Sequence, residues 1–146
     1  MSTWRDRFLA LAAHVARWSK DPSTKVGAVA VDASRRVLET GYNGLPRGVE
    51  DLPERMERPA KYFWTAHAEA NLVAHAARAR LEGTTVYVTH LCCNECTKLL
   101  INAGVAKIVV GPGTTSMPEE VFDVAQTMLL EAGVVLERAT ARRVEA

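Results

Sequence analysis

The sequence predicts an α/β protein with three layers, α/β/α, built around a mixed five-stranded sheet. Short runs of β-branched residues alternate with helical segments along most of the chain, and this alternation is typical of a largely parallel sheet. The first two runs are separated only by the turn-like "ASRR", so they predict an antiparallel hairpin that makes the sheet mixed. The length of 146 residues suits one domain, which we assign to residues 1–146.

The first part of the chain is predicted to form a helix followed by the hairpin. Residues 2–18 carry apolar side chains at helical spacing, and Asp21-Pro22 is expected to end the helix. The two hairpin strands are "VGAVAVD" and "VLETGYN", which are short and rich in β-branched residues. The region from Gly44 to Pro59 contains several Gly and Pro residues, so it is predicted to be a long loop.

The rest of the chain alternates helices and strands. "AHAEANLVAHAARAR", residues 66–80, is Ala-rich and free of Gly and Pro, which predicts one continuous helix. The strand "TTVYVTH", the helix "NECTKLLINAG" and the strand "AKIVVG" follow. "PEEVFDVAQTMLLEAG" begins with Pro and two acids, which is typical of a helix start. "VVLER" is predicted as the last strand, and residues 137–146 are assigned to a polar tail.

Composition and charge exclude several classes of function. The formal net charge is +1, so the chain lacks the basic excess of nucleic-acid-binding proteins. The first helical segment is too charged and too short to span a bilayer, and it lacks the pattern of a signal peptide. We therefore expect a cytoplasmic protein without membrane partners, in which thiols stay reduced.

All three cysteines lie in "HLCCNECTKLL", at the expected junction of a strand and a helix. Cys93 and Cys96 have C-x-x-C spacing, so one helical turn brings both sulfurs to one side. With His67, which lies near the start of the predicted Ala-rich helix, they make the three protein ligands of a catalytic zinc site. Glu69 follows two residues later and can take a proton from metal-bound water, whose pKa zinc lowers to about 7.

Other interpretations of these cysteines stay open at this point. A lone C-x-x-C in a cytosolic protein can be a redox pair, and two buried cysteines can pack as small apolar side chains. Cys92 can also compete as a ligand at C-x-x-x-C spacing. The joint occurrence of both motifs favours the metal, because zinc-dependent nucleobase deaminases carry H-x-E…P-C-x-x-C. Cys92 stands where that pattern has Pro.

The chain resembles the deoxycytidylate (dCMP) deaminases of the cytidine deaminase superfamily. The resemblance spans residues 4–136 and is carried by "SKDPSTKVGAVAVD", "GYNGLPRG", "KYFWTAHAEANLV" and "YVTHLCCNECTKLLINAGV". It implies a cytidine deaminase-like fold and hydrolytic deamination of dCMP to dUMP and ammonia. It implies one zinc per chain bound by His67, Cys93 and Cys96, with Glu69 moving the protons. It also implies a homo-oligomer, typically a hexamer, with dCTP and dTTP as effectors in some members.

Four residues are predicted to contact the substrate: Asn43, Arg47, Trp64 and Ala68. By the resemblance, Asn43 lies near the sugar and phosphate, although Asn-Gly is also the commonest two-residue hairpin turn. Arg47 can bind a phosphate or be a solvated loop residue. Trp64 and its neighbour Tyr62 precede the HAE motif and can stack on a base or pack in the core. The resemblance adds Ala68, which stands between the first metal ligand and the catalytic Glu.

The resemblance is incomplete in two segments. "GPGTTSMPEEVF" lacks the Tyr and acidic pattern expected of the family, and residues 49–66 contain no Cys or His, so a second zinc is not expected. Two alternatives to dCMP deamination follow: deamination of a free or modified cytosine nucleoside or base, and a non-catalytic nucleotide-binding regulator. Glu69 argues against the regulator, because a structural zinc needs no proton-transferring carboxylate.

Overall fold

The computed structural model describes residues 2–139, which form six α-helices, one 3-10 helix and five strands. The helices are α1 (Trp4–Ala16), α2 (Lys61–Trp64), α3 (Ala68–His75), α4 (Arg78–Leu81), α5 (Asn94–Asn102) and α6 (Glu119–Ala132). The 3-10 helix is Pro53–Met56. The strands are β1 (Gly27–Val31), β2 (Val37–Tyr42), β3 (Thr85–His90), β4 (Lys107–Gly113) and β5 (Val135–Arg138). Within residues 2–139, every helix is too short or too polar to cross a membrane.

The five strands form one mixed sheet, as the sequence predicts. Their order is β2-β1-β3-β4-β5. β1 is antiparallel to both β2 and β3, whereas β3, β4 and β5 are parallel to one another. The helical crossovers between the parallel strands therefore bring the ends of β3 and β4 to the same edge of the sheet.

Helices cover both faces of the sheet and give the three predicted layers. β1 shows the division, because its side chains alternate between the faces. Val29 and Val31 pack with α1 residues in one buried cluster, whereas Ala28 and Ala30 belong to a second cluster with residues of α3, α5 and α6. All four side chains are almost fully buried. The metal-ligand motifs lie on the side of the second cluster.

Two glycines allow helices to lie unusually close to the hairpin. A Cβ atom on Gly27 would lie 2.1 Å from the carbonyl oxygen of Ala12 in α1. A Cβ atom on Gly41 would lie 2.3 Å from the carbonyl oxygen of Ala68 in α3. The absence of a side chain at Gly41 therefore fixes how closely β2 approaches the first turn of α3.

The prediction of one continuous helix over residues 66–80 is wrong. α3 ends at His75, Ala76 and Ala77 have extended backbones, and the short α4 follows. The break redirects the chain so that Leu81 is fully buried and the Arg78 guanidinium donates to the carbonyl of Asn102. Tertiary packing outweighs the helix propensity of the alanines here.

The structure also changes the boundary of the polar tail. Glu137 and Arg138, assigned to the tail, complete β5. The Glu137 carboxylate accepts hydrogen bonds from Lys107, at 2.9 Å, and from Arg5, at 3.2 Å. The remainder of the predicted tail, 140–146, lies outside the described residues.

Candidate active site

Two helix starts bring three candidate metal ligands together. His67 is the N-cap of α3 and Cys93 is the N-cap of α5, so both side chains leave the backbone just before their helices begin. Cys96 lies one turn into α5, and its backbone N–H points at the Cys93 sulfur. His67 Nδ1 lies 3.2 Å from Cys96 Sγ and 3.5 Å from Cys93 Sγ.

The three side chains fit a tetrahedral zinc ion. Zn–S and Zn–N bonds of about 2.3 and 2.0 Å at tetrahedral angles place the nitrogen and each sulfur about 3.5 Å apart. The observed separations are close to that value, and all three ligand atoms lie within 4.8 Å of one another. In residues 2–139 no other group of His, Cys, Asp or Glu has this compactness. Three protein ligands leave a fourth position for water, as in catalytic zinc sites.

The thiols are poised to bind a cation. The hydrogen bond from the Cys96 thiol is the main cause that lowers the pKa of Cys93 to about 4, and His67 adds to it against the effect of burial. The same hydrogen bond and burial raise the pKa of Cys96. Without a metal, one buried thiolate therefore prevents the second from forming, and a bound dication removes this obstacle.

Glu69 lies beside the ligands without being one of them. Its side chain is buried in the first turn of α3, and burial raises the pKa of its carboxyl. Burial, together with the nearby Glu69 carboxyl, raises the pKa of the Cys92 thiol well above its usual value. Cys92 is not part of the ligand cluster. The thiol in place of the usual Pro therefore lies near Glu69, and the sulfur atoms of the candidate ligand cluster come from the C-x-x-C pair.

A cavity opens onto two of the three candidate ligands and Glu69. His67, Glu69 and Cys93 line one part of it, and Asn43 and Ala68 also line it. Residues from four other segments complete the wall: Asp21, Thr24 and Val26; Arg58, Lys61, Tyr62 and Thr65; His90 and Leu91; and Thr115, Ser116 and Met117. The wall therefore combines the β1 end of the sheet, the region before α3 and the segment after β4.

Hydrogen bonds of its side-chain amide hold Asn43 in place. Its Oδ1 accepts from the N–H of Val26, and its Nδ2 donates to the carbonyl of Thr24 at 2.9 Å and to Asp21 at 3.5 Å. Both amide hydrogens are thus engaged. The side chain keeps only a second lone pair on Oδ1 for a ligand, so it can accept a hydrogen bond from a hydroxyl group but cannot donate one to a phosphate.

Hydrogen bonds join the "GYNG" segment to the backbone before His67 and to α3. Gly44 and Ala66 form a two-hydrogen-bond bridge, which fixes the backbone immediately before His67. The Asn71 amide donates to the carbonyl of Tyr42 at 2.8 Å. Together with the close approach at Gly41, these contacts fix α3 against the end of β2.

Sequence reasoning missed a buried ion pair in the cavity wall. Lys61 Nζ lies 2.9 Å from the carboxylate of Asp21 and 2.8 Å from the hydroxyl of Ser23. Both charged residues stand in segments that carry the resemblance, "SKDPSTK" and "KYFWTAHAE". Their separation of 40 positions gives no local pattern that would pair them.

Comparison with known proteins places the chain in a family. The family described as "Cytidine and deoxycytidylate deaminase zinc-binding region" matches residues 2–112. The chain belongs to the cytidine and deoxycytidylate deaminase family. Zinc is accordingly the metal of this site, and the predictions of family and fold are confirmed.

Relatives of this deaminase match it over nearly its whole length. "Uncharacterized deaminase in luxG 3'region" from Aliivibrio fischeri is 40% identical over 137 residues, covering 92% of this chain and 92% of the relative. Deoxycytidylate deaminase from Mus musculus is 35% identical over 143 residues, covering 94% of this chain and 80% of the relative. The crystal structure of the cyanophage S-TIM5 dCMP deaminase in complex with dCMP and dUMP aligns with a TM-score of 0.73. That alignment covers 92% of this chain and 96% of the other at 24% identity, which establishes the shared fold.

Two residues predicted to contact the substrate do not line the cavity of this deaminase. Arg47 is exposed in the loop after β2. Trp64 is 42% exposed and packs under the guanidinium of Arg55, 4.0 Å from its ring centre. Its neighbour Tyr62 lines the cavity instead. Because α2 has only four residues, its sequence carries no periodicity that shows which aromatic side chain faces the site.

Proposed function

We propose that this deaminase converts dCMP and water to dUMP and ammonia, with His67, Cys93 and Cys96 as zinc ligands and Glu69 as the proton-transferring residue. The observation that carries the proposal is the compact ligand cluster with the buried Glu69 beside it, of which His67, Cys93 and Glu69 line one cavity. The deoxycytidylate deaminase of Mus musculus, with 35% identity, supports the choice of dCMP.

Glu69 is placed to perform both proton transfers. Bound zinc acts as a Lewis acid that makes water a nucleophile near neutral pH. Glu69 takes one proton from that water and delivers it to N3 of the pyrimidine as the water oxygen adds to C4. It then moves the second water proton to the amino group, which leaves as ammonia. Glu69 ends in its starting state, so one carboxyl serves as base and as acid.

Groups around Glu69 can orient the rest of the substrate. The N–H of Ala68 lies in the first turn of α3, where backbone donors lack helical partners, so it can donate to the carbonyl oxygen of the base. Asn43 can accept a hydrogen bond from a sugar hydroxyl through its remaining Oδ1 lone pair. Tyr62 supplies an aromatic side chain to the cavity, on which a base can stack.

The proposal includes a cytoplasmic homo-oligomer of single-domain chains. Phe63 is 88% exposed and Leu130 is 81% exposed, and large exposed apolar side chains favour contact between copies. The net charge of +1 gives no support for a nucleic-acid partner. Size-exclusion chromatography with light scattering measures the assembly, which we expect to be a hexamer. Titration of dCTP and dTTP into the assay tests them as effectors.

Steady-state kinetics with dCMP, deoxycytidine and cytosine test the proposed reaction. We expect the highest kcat/KM with dCMP. Glu69→Gln should lower kcat by about 10²- to 10⁴-fold while zinc stays bound. Glu95→Gln is the matched control, because Glu95 lies in the same motif but its side chain is 74% exposed and pairs with Lys98. Unchanged turnover in Glu69→Gln, or dCMP as the poorest substrate, would overturn the proposal.

A further inference from the structure

Among residues 2–139, the cavity is lined by one arginine or lysine whose charge is not already neutralised. Lys61 and Arg58 both line it. Lys61 is paired with Asp21, and its side chain is only 8% exposed. Arg58 is exposed and forms no ion pair or side-chain hydrogen bond with any residue in 2–139. Among the described residues, the guanidinium of Arg58 is therefore the unpaired positive charge at this cavity.

Arg58 is exposed but its backbone is anchored on both sides. Met56, two residues before it, is 4% exposed in the core. Lys61, three residues after it, donates its backbone N–H to the carbonyl of Glu57 at 2.8 Å and its ammonium to Asp21. The buried ion pair thus holds the backbone that carries Arg58 against the cavity wall, so its unpaired guanidinium stays within reach of a ligand in the cavity.

In a pyrimidine nucleotide the group that reacts and the group that carries the charge are far apart. The amino group on C4 must reach Glu69 and the metal ligands, whereas the 5′-phosphate lies at the opposite end of the molecule. Glu69 is buried and Arg58 is exposed at the rim of the same cavity. The hydroxyl-bearing Thr115 and Ser116 also line the cavity and can donate to phosphate oxygens.

We propose that Arg58 binds the 5′-phosphate of the nucleotide and sets the preference of this enzyme for a nucleotide over a nucleoside. The inference rests on the proposed function. A guanidinium binds two phosphate oxygens at once, and such charge-assisted bonds are stronger than neutral ones. Asn43 cannot take this role because both hydrogens of its amide are engaged within the protein. Arg58 replaces Arg47, the arginine that the sequence suggested, because Arg47 does not line the cavity.

The test compares Arg58→Met with Arg47→Met, which removes an exposed arginine outside the cavity. For Arg58→Met we expect kcat/KM for dCMP to fall roughly 10- to 100-fold, with a change below about 3-fold for deoxycytidine. Arg58→Lys should retain part of the preference, because a lysine keeps the charge but not the two-pronged geometry. Arg47→Met should leave both values unchanged.

Product binding gives a second readout that does not depend on turnover. Isothermal titration calorimetry should show weaker dUMP binding in Arg58→Met and unchanged deoxyuridine binding. Equal losses for nucleotide and nucleoside, an intact preference in Arg58→Met, or a lost preference in Arg47→Met would overturn the assignment. A wild-type enzyme that prefers deoxycytidine to dCMP would instead overturn the proposed function, and with it this inference.

Discussion

The ammonium of Lys61 lies 2.9 Å from the carboxylate of Asp21, and the two side chains are only 8% and 3% exposed. The pair joins α2 to the segment between α1 and β1 across 40 positions of sequence. Asp21 also accepts hydrogen bonds from the backbone N–H groups of Ser23 and Thr24. One buried pair therefore connects the region before His67 to the segment before β1, and both segments line the cavity.

Removal of the lysine should strongly destabilise the protein. Removal of one partner of a buried ion pair typically lowers the free energy of unfolding by about 3–5 kcal/mol, because the other charge is left buried and unpaired. We expect this loss in the free energy of unfolding of Lys61→Met, measured by urea denaturation at pH 7. Lys20→Met is the matched control, because the Lys20–Asp51 pair is exposed on both sides and solvent screening leaves such a pair little effect on stability. Equal losses in the two variants would show that the buried pair contributes no more to stability than the exposed pair.

The loss of unfolding free energy in Lys61→Met should depend on pH. Burial by itself raises the pKa of Asp21, but the hydrogen bonds from Lys61, Ser23 and Thr24 outweigh it, so this pKa lies below its ordinary value. Such a carboxylate contributes stability that is fully present above its unfolded pKa, about 3.9, and is lost as pH falls through its folded pKa. In Lys61→Met the ammonium no longer opposes the effect of burial on Asp21. The pKa of Asp21 should therefore rise, and protonation should remove its buried charge.

The difference in unfolding free energy between wild type and Lys61→Met should therefore narrow as pH falls from 7 towards about 4. Urea denaturation at intervals across this range measures the difference directly. A difference that grows as the solution becomes more acidic would contradict the assigned role of Asp21.

Zinc content should distinguish two cysteines that are equally buried. Cys92 and Cys96 are each 2% exposed and lie in the same motif, but only Cys96 belongs to the ligand cluster. We expect Cys96→Ser to lose most of its zinc after dialysis against a chelator, because a hydroxyl is a poor substitute for a thiolate. Cys92→Ser should keep about one zinc per chain, as mass spectrometry for metals can measure. Similar zinc loss in both variants would mean that Cys92 is a ligand.

The metal site could be predicted from sequence because its parts are local. C-x-x-C at a helix start fixes two sulfurs within one turn, and His67 and Glu69 stand two residues apart at the start of another helix. The five strands were predictable for the same reason, since each is a short β-branched run bounded by turn residues. Neither motif alone showed that the two helix starts meet, and their joint occurrence, as in zinc-dependent nucleobase deaminases, supplied that step.

Features that depend on distant contacts were not predictable. The pairing of Asp21 with Lys61 and the position of Arg58 at the cavity rim arise only when the chain folds. The break at Ala76-Ala77 contradicts local propensity, because the burial of Leu81 and other tertiary contacts decide it. Residue-level substrate predictions therefore needed the structure even where the chemistry of the site did not.

The two glycines of "GYNG" should respond very differently to the same substitution. A Cβ on Gly41 would lie 2.3 Å from the carbonyl oxygen of Ala68 and 2.7 Å from the backbone nitrogen of Leu72, so α3 would have to move away from β2. A Cβ on Gly44 would meet no atom within 4 Å. Because α3 carries Glu69 and begins next to His67, a shift of this helix also displaces these two side chains.

We expect Gly41→Ala to lower the unfolding free energy by about 1–3 kcal/mol, as overpacking of a close contact usually does. Its kcat should also fall, by up to about 100-fold if the helix moves by 1 Å, because proton transfer depends on the position of Glu69. Gly44→Ala should stay within about 0.5 kcal/mol of the wild type. Thermal denaturation and kinetics on both variants measure these effects. If Gly41→Ala kept wild-type stability and turnover, the contact between β2 and α3 would not determine the geometry of the site.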